Sequence, residues 1–276
     1  MIVLKKMRKQ FQYSIQEVEP FISWAYFYHA WQMSGKSEKD RADLRKDAEQ
    51  TLRQLRGQYT TKAVFGLYDA YADGDDIIVE GVRLPMLRQQ RPTTPGSPCL
   101  CLADFIMPET ASKKDTIGVF AATVEMRMET EHHADPYQRM MVQTLADRLA
   151  EATTEKMHQE VRTKYWGYAP YEQLSMEELL RGAFLGIRPA VGYPSMPDAS
   201  INFLIQQIVD MGSIGIHLTE NGAMRPHASV SGLMIAHPKA RYFDVGPVGD
   251  DQLADYATRR GIPLELARRF LASNLI

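Results

Sequence analysis

Residue types that could bind phosphate or run common enzymatic reactions occur in the sequence, but not at the spacing that those reactions need. Gly35-Lys36-Ser37 resembles the end of a phosphate-binding loop, yet the glycine required five positions earlier is Ala30, and no strand precedes it. The sequence has no G-x-G-x-x-G dinucleotide fingerprint, no H-E-x-x-H zinc motif and no G-x-S-x-G nucleophile elbow. We therefore predict no catalytic acid, base or nucleophile.

The cysteine and histidine pairs are the remaining candidates for metal or redox chemistry. Cys99 and Cys101 are the chain's two cysteines, which are too few for a four-cysteine zinc site. Their C-x-C spacing in an apolar run predicts two reduced thiols on one face of a strand. His132 and His133 lie in a polar segment and are predicted to be exposed loop residues rather than metal ligands. No metal site is predicted.

Apolar periodicity and turn signals divide the chain into helices and short strands. The predicted helices are 38–57, 136–165, 175–186, one capped by Asp198, 250–261 and one that begins at Pro263. Ser37 and Ser175 are predicted to cap the first and third of these. In the second, one face carries an apolar stripe of Tyr137, Met141, Leu145, Leu149 and Ala152. The predicted strands are 62–71, 75–84, 99–105, 116–124, 214–220, 229–237 and 241–245. Asn221-Gly222 is predicted to form a turn after the fifth of these. Helices grouped around short strands favour an α+β fold with an antiparallel sheet.

The composition is that of an ordinary globular protein and excludes several classes. The chain has 276 residues, of which 45% are hydrophobic and 24% are charged. Its formal net charge of −2 argues against nucleic acid or a membrane surface as the main partner. No apolar run reaches the ~18 residues of a membrane span, and the N-terminus lacks the apolar core of a signal peptide. The sequence therefore predicts a cytoplasmic protein.

Several long segments occur together in the order typical of one family. In the C-terminal third they are RPAVGYPSMP at 188–197, LTENGAMRPHASVSGLMIAHPKARYFDVG at 218–246 and DQLADYATRRGI at 251–262. Upstream they are WAYFYHAWQMSGK at 24–36, GDDI at 74–77, CLADF at 101–105, MVQTLADRLAE at 141–151 and YWGYAP at 165–170. Over about residues 20–276 the chain resembles the activation domain of cobalamin-dependent methionine synthase.

The resemblance implies a C-shaped single domain over 20–276, with a central twisted antiparallel sheet flanked by helices, after an N-terminal arm over 1–19. It also implies binding of S-adenosylmethionine and support for reductive methylation of cob(II)alamin. This sequence lacks the D-x-H-x-x-G corrinoid motif, and two cysteines are too few for the family's three-thiolate zinc site. We therefore expect a stand-alone accessory component rather than a complete methyltransferase. Cobalamin would be held by a separate corrinoid protein, and a flavodoxin-like donor would supply the electron.

The family's motif assigns ligand contacts to residues of this chain. Arg188 would bind the ligand's carboxylate through two parallel hydrogen bonds. As a loop residue after Gly186, it is expected to make few contacts with the core. Backbone groups of Ala190 and Tyr193, fixed by the surrounding prolines, would bind polar ligand atoms without an ordering cost. Glu151 would attract the ammonium or the sulfonium. The sequence also allows plainer roles, because Arg188 could interact with a preceding helix end and Glu151 could form a surface ion pair with Arg148.

Two aromatic residues and one serine complete the implied site. Tyr242 and Phe243 would contact the adenosyl group, although their alternation on a predicted strand makes one of them a core residue in any case. Ser23 stands where the family typically has an aspartate that contacts the ligand, and Ala199 stands where it commonly has a histidine implicated in docking. These two departures motivate an alternative, a non-catalytic regulatory module that binds a corrinoid protein and has lost S-adenosylmethionine binding.

Overall fold

The computed structural model describes residues 7–131 and 135–276, so the predicted loop positions His132 and His133 lie outside the described residues, as do residues 1–6. The strands are β1 (Met7–Ser14), β2 (Thr60–Asp73), β3 (Asp76–Val79), β4 (Val82–Pro85), β5 (Asp115–Val124), β6 (His217–Leu218), β7 (Met224–Arg225) and β8 (Ser229–Met234). The helices are α1 (Ile15–Val18), α2 (Trp24–Ala30), α3 (Glu38–Leu55), α4 (Met126–Thr130), α5 (Pro136–Glu160), α6 (Met176–Leu180), α7 (Asn202–Ile208), α8 (Asp250–Arg260) and α9 (Leu264–Phe270).

The long strand β2 organises an antiparallel sheet of six strands. On one side β2 pairs with β5, which in turn pairs with β8. On its other side the first half of β2 pairs with β1 and its last residues pair with β3, which continues to β4. The curled sheet and its flanking helices confirm the predicted α+β fold.

Alternation along β2 divides the hydrophobic core between the two faces of this sheet. Val64 faces a cluster formed with α7 and α8, whereas its neighbours Ala63 and Phe65 face a cluster formed with α3 and α5. In α5, the predicted apolar stripe is buried at Met141, Leu145, Leu149 and Ala152, whereas its first residue, Tyr137, is exposed. Helix α5 thereby lies across the sheet, and it supplies one wall of the site described below.

The segment that the sequence analysis assigns to an N-terminal arm is packed into the same body from Met7 onward. β1 pairs with β2 over its whole length, from Met7 opposite Leu67 to Ser14 opposite Thr60. A capping box at Ser14 begins α1, and Ile15 is fully buried. Residues 7–15 therefore contribute hydrogen bonds and apolar surface to the sheet and its core.

Capping signals predict helix starts well here, but two helix ends differ from the prediction. The Ser37 side chain accepts a hydrogen bond from the Asp40 N–H at 3.1 Å, as expected for the start of α3. Helix α6 begins at its predicted Ser175 capping box but ends at Leu180, because the chain turns at Gly182 with φ +74°. Helix α5 ends at Glu160 and continues as one wider π-helical turn, Val161–Tyr165.

Two predicted strands are split or shortened. The predicted strand 75–84 is a hairpin, β3 and β4, because Glu80 and Gly81 turn the chain with positive φ angles of 51° and 85°. Of the predicted strand 214–220, only β6 is extended, and it pairs with β7 across the expected Asn221-Gly222 turn.

The prediction that 99–105 forms a strand is wrong. Leu102–Phe105 is a 3₁₀ turn, stabilised by a hydrogen bond of 2.8 Å from the Cys101 N–H to the Asp104 carboxylate. The two cysteines therefore do not share a strand face. Cys101 is fully buried, with its thiol 3.7 Å from the carbonyl oxygen of Asp75, whereas Cys99 is partly exposed.

This difference between the cysteines predicts selective alkylation. Burial raises the pKa of the Cys101 thiol to about 12, so almost none of the reactive thiolate forms at neutral pH. We expect iodoacetamide to modify Cys99 in the native protein and to reach Cys101 only after unfolding. Peptide mass spectrometry before and after denaturation checks this, and rapid labelling of Cys101 in the folded protein would contradict the assignment.

No helix in the described residues, 7–131 and 135–276, combines the length and the apolar composition needed to span a bilayer.

Candidate functional site

A cavity of about 670 Å³ opens between α5, the turn after α6 and two irregular segments of the C-terminal third. Every residue that the sequence analysis assigned to ligand binding lines it, namely Ser23, Glu151, Arg188, Ala190, Tyr193, Tyr242 and Phe243. These residues come from positions up to 220 apart in the chain. The fold therefore brings the whole predicted set together at one place.

The proline-rich segment, residues 187–197, is hydrogen-bonded to the edge strand β8 of the sheet, although its prolines exclude a full strand. The Ile187 N–H donates to the Ile235 carbonyl at 2.9 Å, and the Leu233 N–H donates to the Pro189 carbonyl at 3.0 Å. Because the segment follows β8 in this way, Arg188 and Ala190 have defined positions before any ligand arrives.

A tight turn follows and uses most of its own backbone groups. The Gly192 N–H donates to the Met196 carbonyl and the Met196 N–H donates to the Tyr193 carbonyl, both at 2.8 Å. The Tyr193 N–H donates to Ala190 at 3.3 Å. Within residues 7–131 and 135–276, the Ala190 N–H has no hydrogen-bond partner. Of the backbone groups expected to bind ligand, this N–H is the donor left available.

Arg188 is not the loosely held loop residue that the sequence suggests. Its side chain is 7% exposed and forms an ion pair through Nη2 with Glu155 of α5. Burial alone would lower the pKa of Arg188, but Glu155, Tyr242 and Glu151 raise it, so the guanidinium stays charged. The preceding helix ends at Leu180, so the alternative of a helix-end interaction is wrong.

Glu151 lies one turn before Glu155 on the same face of α5 and binds a tyrosine rather than a cation. Its carboxylate accepts a hydrogen bond from the Tyr193 hydroxyl. Burial and the nearby charge of Glu151 raise the pKa of Tyr193, which keeps this hydroxyl a donor at neutral pH. The ion pair with Arg148 that the sequence allowed is absent between these two described residues. The Glu151 carboxylate is part of the cavity wall.

One residue of the aromatic pair is exposed and the other is buried, as their alternation predicts, but the two do not lie on a strand. Tyr242 is half exposed, and its hydroxyl accepts a hydrogen bond of 2.9 Å from the Arg188 N–H. Phe243 is buried, and its N–H donates to the Ser195 hydroxyl at 3.3 Å. The predicted strand 241–245 is therefore wrong, because the backbone of this segment bonds to the 194–195 loop. Tyr242 is placed to contact a ligand, whereas Phe243 mainly supports the wall.

Ser23 lies at the start of α2 and faces the same cavity as Arg148 and Tyr26. Its side chain makes no capping hydrogen bond to the helix. The Arg148 guanidinium lies 5.9 Å from the centre of the Tyr26 ring. This part of the wall thus combines an uncharged serine with an arginine, where the resemblance leads one to expect an aspartate.

Sequence reasoning missed several lining residues, of which Glu155 is the most consequential. A signal for it existed, since it lies four residues after Glu151 on a strongly predicted helix, and residues at that spacing share a face. Among the others are Tyr26, Arg148, Arg181, Phe184 and Asp244. Arg181 and Phe184 lie outside the segments that carry the family resemblance, whereas the other three lie inside them. The three-dimensional structure is what places all five at the cavity.

A second buried ion pair supports the wall behind Arg188. Arg162 is fully buried and donates to Glu172 through Nε and Nη2, at 2.8 and 2.6 Å. Its guanidinium lies 4.2 Å from the ring centre of Phe184, which lines the cavity. Burial, together with Arg162 and Arg188, holds the pKa of His158 well below its usual range, so this neighbour is neutral. Rigid packing here fixes the ligand-facing surface.

In the described part of the chain, no group of three or more His, Cys, Asp or Glu side chains is arranged to hold a metal ion.

Comparison with known proteins agrees with this geometry. The family model of the vitamin B12-dependent methionine synthase activation domain matches residues 14–261. A crystal structure of the MetH reactivation domain bound to AdoHcy is 38% identical in sequence, with a TM-score of 0.87. That match covers 98% of this chain and 90% of the other. The chain therefore belongs to the family of vitamin B12-dependent methionine synthase activation domains.

Proposed function

We propose that this chain is a cytoplasmic reactivation module that binds S-adenosylmethionine in the cavity and supports methylation of a corrinoid held by a partner protein. The observation that carries the proposal is the convergence of Arg188, Glu151, Tyr193 and Tyr242 on one cavity, in a chain of this family. The similar MetH reactivation domain was crystallised with AdoHcy, which is S-adenosylmethionine without its transferable methyl group.

The cavity has chemistry that fits each part of this ligand. Arg188 offers a permanent cation for a carboxylate, and a guanidinium suits that group because of its planar donors. Glu151 offers a negative charge for the ammonium or the sulfonium. Tyr242 offers a half-exposed ring for the adenosyl group, and the Ala190 N–H offers a fixed donor. The chain's part in the reaction is thus to bind and orient the methyl donor.

The corrinoid and its electron source belong to other proteins in this proposal. A partner's corrinoid would supply the cobalt that accepts an electron, from a flavodoxin-like donor, and then the methyl group. No side chain of this chain needs to act as a general acid or base, since methyl transfer from a sulfonium to cobalt moves no proton.

Calorimetry and a reactivation assay test the proposal together. We expect S-adenosylmethionine to bind with micromolar affinity. We also expect the chain to restore turnover to a methionine synthase core trapped as cob(II)alamin, when S-adenosylmethionine and reduced flavodoxin are present. Absence of binding at millimolar ligand would contradict the proposal and would favour the alternative, a regulatory module that binds a corrinoid protein without S-adenosylmethionine.

Ser23→Asp is expected to tighten S-adenosylmethionine binding by up to about ten- to a hundredfold, because a charged hydrogen bond is worth about 1.5–3 kcal/mol. The fold should tolerate the change, since aspartate is also a favourable residue before a helix. The gain should shrink at high salt because the cavity is open to water. Titration calorimetry at two salt concentrations measures this.

Ser23→Asn is the matched control for this prediction. Asparagine has nearly the shape of aspartate and can also cap a helix, but it adds no charge, so it should leave affinity almost unchanged. A lower melting temperature for Ser23→Asp without tighter binding would show that the added charge has no partner, and that the site has been remodelled for another ligand.

A further inference from the structure

The ion pair between Arg188 and Glu155 is incomplete. One contact joins Nη2 of Arg188 to Oε1 of Glu155. The neighbouring atoms, Nε of Arg188 and Oε2 of Glu155, are both buried, and neither has a hydrogen-bond partner among the described residues. An arginine and a carboxylate commonly form two parallel hydrogen bonds, so this pair lacks its second one.

Unpaired polar atoms in a protein interior are costly. A buried donor or acceptor without a partner loses its hydrogen bonds to water and gains none in return, and most native structures avoid such atoms. Here the two partners of one ion pair each have an unpaired buried atom, a donor on Arg188 and an acceptor on Glu155, and both residues line the cavity. The arrangement is explained if a bound molecule supplies an acceptor to Arg188 and a donor to Glu155.

An α-amino acid group has this pair of functions on one carbon atom. Its carboxylate accepts hydrogen bonds and its ammonium donates them. We propose, on the basis of the function proposed above, that Glu155 is a ligand-binding residue that receives the α-ammonium of the ligand's amino acid group, while Arg188 receives the adjacent carboxylate. The ligand's zwitterion thereby completes the half-formed ion pair.

The other negative charges at the cavity are less suited to this task. Glu151 already accepts the Tyr193 hydroxyl, and position 23 carries an uncharged serine. Glu155 lies beside the carboxylate's expected partner, so it can reach an ammonium attached to the same carbon atom. Glu151, one helical turn away, remains for the sulfonium. This assignment uses both carboxylates of α5 for the two cationic centres of S-adenosylmethionine.

The test compares two ligands on one variant. The ligands are S-adenosylhomocysteine and its desamino analogue, in which hydrogen replaces the α-ammonium and the carboxylate remains. For Glu155→Gln we expect the affinity for S-adenosylhomocysteine to fall about ten- to a hundredfold, whereas the affinity for the desamino analogue changes less than about threefold. Any effect of the substitution on Arg188 acts on both ligands, so the difference isolates the ammonium.

Glu160→Gln is a matched control on the same helix. The Glu160 side chain is 18% exposed and ion-paired, against 17% for Glu155, but it does not line the cavity. We expect this variant to bind both ligands as the wild type does. Should Glu155→Gln fail to fold, Glu155→Asp keeps the charge but withdraws it by one methylene, and it should still reduce the preference for the ligand with the ammonium.

Three outcomes of this test lead to different conclusions. Equal losses for both ligands in the Glu155 variants would overturn the assignment of Glu155, while leaving the proposed function intact. A wild-type protein that binds neither S-adenosylhomocysteine nor S-adenosylmethionine would contradict the proposed function itself. A loss confined to the ligand with the ammonium supports the assignment, because a merely structural role of Glu155 would not distinguish the two ligands.

Discussion

Replacement of Arg188 by alanine is expected to abolish ligand binding and also to lower the free energy of unfolding by about 3–5 kcal/mol, the typical loss when one partner of a buried ion pair is removed. The Arg188 side chain is 7% exposed, and Glu155, at 17%, would lose its cationic partner. The sequence alone suggests a loop arginine that can be removed without harm to the fold, and the structure overturns that expectation.

Two further variants separate the effect on binding from the effect on stability. Arg188→Lys keeps the charge but loses the planar donors, so we expect a smaller loss of stability with most of the loss of affinity. Arg181→Ala also removes a cavity-lining arginine, but one that is 68% exposed in a pair with Glu177, so its effect on stability should be below about 1 kcal/mol.

Chemical denaturation and calorimetry on these variants decide the role of Arg188. If Arg188→Ala unfolds at the wild-type denaturant concentration, the ion pair with Glu155 contributes nothing. If it binds S-adenosylmethionine with unchanged affinity, Arg188 is not the group that receives the ligand's carboxylate.

Burial of Arg188 illustrates what sequence patterns do not contain. The residue types and the turn at Gly186 are visible in the sequence, but the partner, Glu155, lies 33 residues earlier. Whether an arginine after a glycine is exposed or ion-paired depends on which helix passes over it. The family resemblance selects the ligand-facing residues, and only packing shows what each of them does before a ligand is bound.

In the segment around Tyr242 the predicted alternation of exposed and buried side chains is correct, but the predicted strand is wrong. Alternation there is real, since Tyr242 is 50% exposed and Phe243 is 9% exposed. The backbone, however, pairs with a loop, because the Val245 N–H donates to the Pro194 carbonyl at 3.0 Å. Alternation reports which side chains are buried, but it does not identify the hydrogen-bond partner that defines a strand.

Elements that are defined by local signals could be predicted from the sequence alone. Strands β5 and β8 lie in the middle of apolar runs and pair with each other, and helices α3 and α6 begin at their predicted serine caps. Local signals of this kind need no knowledge of distant residues.

The proline-rich segment lies so close to β8 that a substitution at their contact should have a large effect on stability and on ligand binding. Gly232 lies opposite Ala190, and a Cβ atom added there would overlap the Pro189 carbonyl oxygen and come within 2.9 Å of the Ala190 Cα. Gly232→Ala should therefore force the segment away from β8. We expect a loss of stability near the upper end of about 1–3 kcal/mol.

Gly232→Ala should also weaken ligand binding, because the displaced segment carries Arg188 and Ala190. Loss of a charged hydrogen bond from Arg188 to the ligand would lower the affinity for S-adenosylmethionine by about ten- to a hundredfold. Gly212→Ala is a suitable control, since its added Cβ would meet Asp210 Oδ1 at 3.4 Å. A Gly232→Ala protein that binds the ligand as the wild type does would show that the segment need not lie against β8 for the site to work.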